Sequence, residues 1–189
     1  MKKYHLILIL FLLPCLAFTQ TKKSIDSFMD IPLGSDSVTV KAAILAKGGA
    51  QNIALSKKDL LVFDNFSLSR RPVRELVVKF VNNKAFDAFF YFLYSDTEIL
   101  DSYDNLVSDI AAVYGKPAAA DNYTQFSKSA VRIRKIRAQD IIMQTVWLSK
   151  NKNAISVKIQ PIDQFLMLML TYEDGTLFAV DAAKKRSDL

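Results

Sequence analysis

The chain repeats one order of segments twice: a helical pattern that ends at glycine, followed by several patterns typical of β-strands. Val38, Ala42 and Leu45, with Ile44 alongside, recur at a spacing of three to four over residues 38–47, and Gly48 and Gly49 end this first helix. Ser35 or Asp36 is its predicted N-cap, because short oxygen-bearing side chains accept hydrogen bonds from the first free backbone N–H groups. Helical and strand patterns grouped in blocks predict an α+β fold with an antiparallel sheet.

The second block starts with a helix that is predicted to begin at Asp101 or Ser102 and to end at Gly115 and Pro117. Strand patterns follow both helices, and Asn82-Asn83-Lys84 between two of these patterns predicts a tight hairpin turn. The predicted strands are residues 60–63, 75–81 and 85–94 in the first half and residues 130–137, 140–149, 154–160 and 165–172 in the second half.

The two halves, about residues 31–94 and 101–172, are expected to form one sheet with the helices on one face. No low-complexity linker separates them, so residues 20–189 are predicted to form a single α+β domain. The tail at residues 176–185 is expected to be a short helix or a frayed end. Packing alone must stabilise this domain, because the single cysteine of the chain allows no internal disulfide.

Two of the predicted strands are apolar on both faces instead of alternating. These are residues 86–94, which are rich in aromatic side chains, and residues 165–170. Because two short helices cover only one sheet face, we expect the other face either to be buried by sheet curvature or by the tail, or to bind a partner. The candidate partner-binding residues are Phe89, Tyr91, Leu93, Met167 and Met169.

The first nineteen residues have the pattern of a secretory signal peptide. Lys2 and Lys3 precede an apolar run at residues 6–13, which is too short to span a bilayer. Cleavage after Thr19 predicts export to the periplasm or the extracellular space, with no integral membrane span. The alternative is a lipoprotein acylated at Cys15, although a proline precedes that cysteine.

Removal of the signal would also remove His5 and Cys15, the only histidine and the only cysteine. Ser-His-Asp triads, cysteine nucleophiles, Cys/His zinc sites and histidine-ligated haem are then excluded. We therefore expect no enzymatic activity, no metal and no cofactor. The remaining alternative is a hydrolase that works through carboxylates alone. The candidate carboxylates for such a hydrolase are those of the densest acidic group, Asp96, Glu98, Asp101 and Asp104. This group is equally expected without any catalytic role, because a helix N-terminus favours acidic side chains.

Two basic clusters suggest a different function, the binding of an anionic ligand. Their arginines are Arg70, Arg71, Arg74, Arg132, Arg134 and Arg137. Guanidinium groups match the geometry of phosphates and carboxylates, so an anionic glycan, a lipid head group or another small anion is a candidate ligand. For the second cluster we expect a strand with a bulge near Lys135, which would place its cations on one face. Nucleic acid is not expected, because the mature charge of 23 − 19 = +4 has no single concentrated block.

Two short motifs carry a family resemblance. The first is Gly34-Ser35 at the opening of the first helix, followed by Val38, and the second is Tyr114-Gly115-Lys116-Pro117 at the end of the second helix. The chain resembles small exported envelope domains of the beta-lactamase-inhibitor-protein-like and outer-membrane-assembly-lipoprotein kind. The resemblance implies a tandem helix-plus-antiparallel-sheet fold and a binding or assembly role in the cell envelope. We therefore expect a non-enzymatic module that binds a protein or envelope component through an apolar sheet face.

Overall fold

The computed structural model describes residues 23–121, 126 and 128–187. The predicted signal peptide, with His5 and Cys15, lies outside the described residues. Four helices and one large antiparallel sheet make up the described part, so the α+β prediction is confirmed. Within this part, no helix combines the length and the apolar character that a membrane span requires.

The helices are α1 (Ser37–Ala46), α2 (Ile99–Tyr114), α3 (Ser129–Arg137) and α4 (Gly175–Ser187). The strands are β1 (Ser27–Phe28), β2 (Ile31–Pro32), β3 (Ala50–Gln51), β4 (Leu60–Asp64), β5 (Phe66–Leu68), β6 (Arg71–Val73), β7 (Glu75–Val81), β8 (Lys84–Leu93), β9 (Ala119–Ala120), β10 (Met143–Leu148), β11 (Ala154–Ile162) and β12 (Phe165–Glu173). The two helices predicted from helical spacing are α1 and α2. Asp36 is the N-cap of α1, as predicted, whereas α2 begins one turn earlier than expected, with Glu98 as its N-cap.

The sheet has eight strands in the order β3-β4-β7-β8-β12-β11-β10-β9, and every neighbouring pair is antiparallel. The strands of the first half occupy one side of the sheet and those of the second half the other side. The long strands β8 and β12, which end the two halves, pair with each other at the centre of the sheet. Two small hairpins, β1-β2 and β5-β6, lie outside the sheet.

Helices α1, α2 and α3 bury their apolar side chains against one face of the sheet, which we call the core face. Val40 and Ile44 are buried from α1, Leu106 and Ile110 from α2, and Ile136 from α3. Burial of these side chains is the main source of stability available to a domain without disulfides. The strand residues of the same cluster include Leu76, Val78, Ala88, Phe90, Ile155, Val157, Leu168 and Leu170.

The prediction of a strand at residues 130–137 is wrong, because this segment is helix α3. Ile133 and Ile136 are three residues apart, so in a helix they lie on one face, and both are buried in the core cluster. A strand would have placed them on opposite faces, and the bulge expected at Lys135 was needed only to remove that conflict. The cations of the last turn lie at the helix C-terminus, where the helix dipole favours positive charge.

Helices α1, α2 and α3 lie on one sheet face as expected, whereas α4 packs on the other side, in agreement with the alternative in which the tail covers part of the second face. The tail forms a helix in which the side chain of Asp174 accepts hydrogen bonds from two backbone N–H groups of the first turn, at 3.0 Å each. The backbone N–H of Asp174 donates to the carbonyl of Phe86, and the ring of Phe178 lies 6.4 Å from the Phe86 ring. The tail therefore covers one end of β8.

Candidate interaction surface on the second sheet face

The side chains on the second face alternate with those of the core face along β8 and β12. Phe90 belongs to the core cluster, so its neighbours Phe89 and Tyr91 point to the other side of the sheet. In the register between the two strands, Tyr91 is opposite Met169. The structure thus brings together the residues that were predicted to form one surface, although their role in binding stays a prediction.

The accessibility of these residues differs. Leu93 is 40% exposed, and Phe89, Tyr91 and Met169 are half-buried. Met167, which lies opposite Leu93, is only 7% exposed and offers little area to a partner. We call the four accessible residues, Phe89, Tyr91, Leu93 and Met169, the aromatic patch.

Charged side chains border the aromatic patch. The ammonium group of Lys79 lies 4.4 Å from the centroid of the Phe89 ring, a cation–π contact, and Lys158 is opposite Met169. Glu75 is opposite Tyr91, and burial, followed by the charge of Asp64, raises the pKa of Glu75. Burial also raises the pKa of Tyr91. An apolar centre with a charged rim is the usual composition of a protein-binding surface.

The buried carboxyl group of Asp87 is a feature of the second face that the sequence analysis did not single out. Asp87 is 4% exposed, and among the described residues its Oδ1 has no hydrogen-bond partner. Burial, and then the charge of Glu173 directly opposite on β12, raises the pKa of Asp87 to about 7, while Lys79 opposes this shift. A lone carboxylate inside the aromatic strand pattern was the signal that could have identified it.

The acidic group near α2 has structural partners at the start of that helix. The carboxylate of Asp96 accepts two hydrogen bonds from Arg137, at 2.7 and 2.9 Å. Glu98 accepts a 2.6 Å hydrogen bond from the Ser95 hydroxyl, which lowers the pKa of Glu98. Burial raises the pKa of Asp104, and the nearby charge of Arg132 opposes that shift. Asp101 is the member of this acidic group that lies in the first turn of α2, the placement that the helix dipole favours.

The six arginines fall into two groups on different elements. Three belong to the β5-β6 hairpin and the residue after it, and three belong to α3. Arg71 is paired with Asp109 of α2 and Arg137 with Asp96, while Arg132 lies close to Asp104. The cavity of about 440 Å³ beside Arg71 has no other arginine in its lining. Three of the six arginines thus have carboxylate neighbours, and anion binding by the two groups stays a prediction.

Comparison of the chain with protein-family models, with curated proteins and with solved structures finds no significant match. The resemblance to exported envelope domains therefore remains an expectation from short motifs and from the order of the elements. Among the candidate sites described above, the aromatic patch is the one whose predicted members lie side by side.

Proposed function

We propose that this protein is a non-enzymatic binding or assembly module of the cell envelope that binds a protein partner through the aromatic patch. The observation that carries the proposal is the register of β8 with β12. It places Tyr91 beside Met169 and leaves Leu93 exposed at the end of the same strand. Helices α1, α2 and α3 all lie on the core face, which supports an uncovered second face at the Leu93 end of β8.

The tail helix does not occupy this end of the second face. Helix α4 lies over the Phe86 and Asp87 end of β8, and Leu93 follows Asp87 by six residues along the strand. At a rise of about 3.3 Å per residue, this separation is about 20 Å. A partner segment can therefore contact the Leu93 end of the patch beside α4, whereas Phe89, two residues after Asp87, lies next to the covered end.

The chemistry of the patch suits a protein partner better than a small polar ligand. Aromatic and methionine side chains are enriched in protein interfaces, because they supply large apolar areas and, for methionine, an adaptable shape. The rings of Phe89 and Tyr91 are nearly parallel, at 20°, with their centroids 6.4 Å apart, so they present one continuous surface. The bordering Lys79, Lys158 and Glu75 would set the orientation of a partner more than its affinity.

Site-specific photo-crosslinking in the cells that make the protein tests the proposal. Benzoyl-phenylalanine in place of Leu93 reports on the patch. The matched control carries benzoyl-phenylalanine in place of Val113, which is similarly exposed on α2. We expect one discrete adduct from position 93 and none of the same mass from position 113. Adducts of equal yield from both positions, or none from position 93, would contradict the proposal.

Binding to the protein identified in that adduct is then measured with purified components. The double substitution Leu93→Glu and Met169→Glu should weaken binding at least tenfold, since each places a carboxylate in the apolar centre of the interface. Val113→Glu introduces the same charge at a similarly exposed position and should leave the affinity unchanged. Unchanged affinity in the double variant would place the partner elsewhere on the protein.

A further inference from the structure

Helix α4 covers part of the second face without being part of the core. The hydrophobic core cluster contains no residue of α4, and Phe178 remains 43% exposed although its ring contacts Phe86. Phe86 itself is only 3% exposed. The helix thus shields strand residues while it buries little of its own surface, so it can leave the sheet without disrupting the core.

The charges that face Asp87 come from three elements: two are carboxylates, which disfavour its ionisation, and two are ammonium groups, which favour it. Glu173 faces it from β12, Lys79 from β7, and Asp181 and Lys185 from α4. The ammonium group of Lys185 is already paired with Asp181, at 2.7 Å. Lys79 lies over the ring of Phe89. An ionised Asp87 would therefore be a buried carboxylate with two further carboxylates near it, which is costly unless it is paired.

We propose that α4 is a pH-sensitive lid, which stays docked on β8 while Asp87 is protonated and is released when Asp87 ionises. Release would expose Phe86 and extend the apolar surface beyond Phe89. Of these statements, only the idea that a partner would bind this enlarged apolar surface rests on the proposed function. The docking equilibrium itself is a property of the isolated protein.

The direction of the pH effect follows from the two states of Asp87. In the docked state its pKa is about 7, and release of α4 lowers this pKa toward the ordinary value of 3.8 because the carboxyl group regains solvent, although Glu173 stays opposite it on β12. The docked state therefore binds the proton more tightly, and docking is strongest below the lower value. Docking weakens as the pH rises between the two values, by up to about tenfold per pH unit, and is constant above the higher one.

Hydrogen exchange of the α4 amides in the full chain, measured from pH 5 to pH 8 and corrected for the intrinsic exchange rate, tests the lid. In the wild-type protein we expect protection of residues 175–187 to fall at least tenfold over this range. In Asp87→Asn, which keeps the shape but cannot ionise, protection should not depend on pH. Asp163→Asn in the β11-β12 turn is the matched control and should behave as wild type. Equal pH dependence in wild type and Asp87→Asn would overturn the proposal.

A second measurement does not depend on the folding of that variant. Titration of the Asp87 carboxyl by NMR should give a midpoint near neutral pH in the wild-type protein. Phe178→Ala, which removes the ring contact of α4 with Phe86, should move the midpoint toward the ordinary range. An ordinary midpoint in wild type with α4 protected would refute the lid. Because no partner is present in either experiment, their failure is distinct from the absence of a crosslink at Leu93.

Discussion

Truncation of Phe90 to alanine tests the assignment of the two sheet faces. Phe90 is completely buried, and its ring makes edge contacts with Phe28, Phe66 and Tyr172 at centroid distances of 6.4, 6.3 and 6.1 Å. It therefore joins the N-terminal hairpin, the β5-β6 hairpin and the second half of the sheet. Phe→Ala in a close-packed core costs about 3–5 kcal/mol, and we expect the upper part of this range because three aromatic contacts are lost together.

Phe89→Ala is the matched control for Phe90→Ala, because it removes the same side chain from the adjacent, half-buried position on the second face. We expect it to cost about 1 kcal/mol, since no enclosed cavity forms. Urea unfolding followed by the fluorescence of Trp147, which is buried and donates to the carbonyl of Gly115, measures both free energies of unfolding. If Phe89→Ala destabilises the protein as much as Phe90→Ala, the assignment of the faces is wrong.

Three further results are expected. Tyr103→Phe should lower the free energy of unfolding by about 1–2 kcal/mol, because the buried hydroxyl of Thr145, 2.7 Å from the tyrosine oxygen, loses this partner. When Thr145→Val is added to Tyr103→Phe, the free energy of unfolding should fall little further. Gly175→Ala should destabilise the protein and weaken α4 protection in hydrogen exchange, because a Cβ atom there would clash with the carbonyl oxygen of Lys152 in the β10-β11 turn; wild-type protection would contradict this. We predict export and cleavage after Thr19, so the intact mass of protein recovered outside the cytoplasm should correspond to a chain that starts at residue 20; a lipid-modified Cys15 would show acylation instead.

The elements whose periodicity is local were predictable from the sequence. The alternation in β11 matches one period, and the Asn82-Asn83 turn occurs where the hairpin between β7 and β8 was expected. Helix α1 also occurs where it was predicted, but Val38 and Leu45 of its predicted apolar face are exposed, and the helix buries Val40 and Ile44. Both asparagines have positive φ angles, at 51° and 58°, a conformation that asparagine tolerates better than most residues. Such choices are made within a few residues and need no tertiary information.

Segment 129–137 was mispredicted because two patterns compete in it. Its alternation of apolar and basic residues resembles a strand, but Ile133 and Ile136 fit only a helix. Burial of these two side chains in the core cluster decides between the two patterns. For a short segment with basic side chains of good helix propensity, tertiary packing is thus decisive.

The side-by-side placement of the candidate surface residues was predictable only in part. Alternation along β8 placed Phe89, Tyr91 and Leu93 on one face, but it did not say which strand would lie next to them. The pairing of β8 with β12 brings Met169 beside Tyr91. The same pairing sets Glu173 against Asp87, a contact that no local pattern indicates.

By itself, the sequence determined the α+β class, most of the elements and the apolar character of both faces of β8, because these depend on local periodicity. The tertiary structure decided between the alternatives for the second face: α4 covers one end of it, the aromatic patch remains accessible at the other end, and Asp87 is buried at the covered end. These features depend on strand register and on packing between distant segments, such as the hydrogen bond from Asp174 to Phe86. The chemistry of the second face is therefore a property of the folded chain.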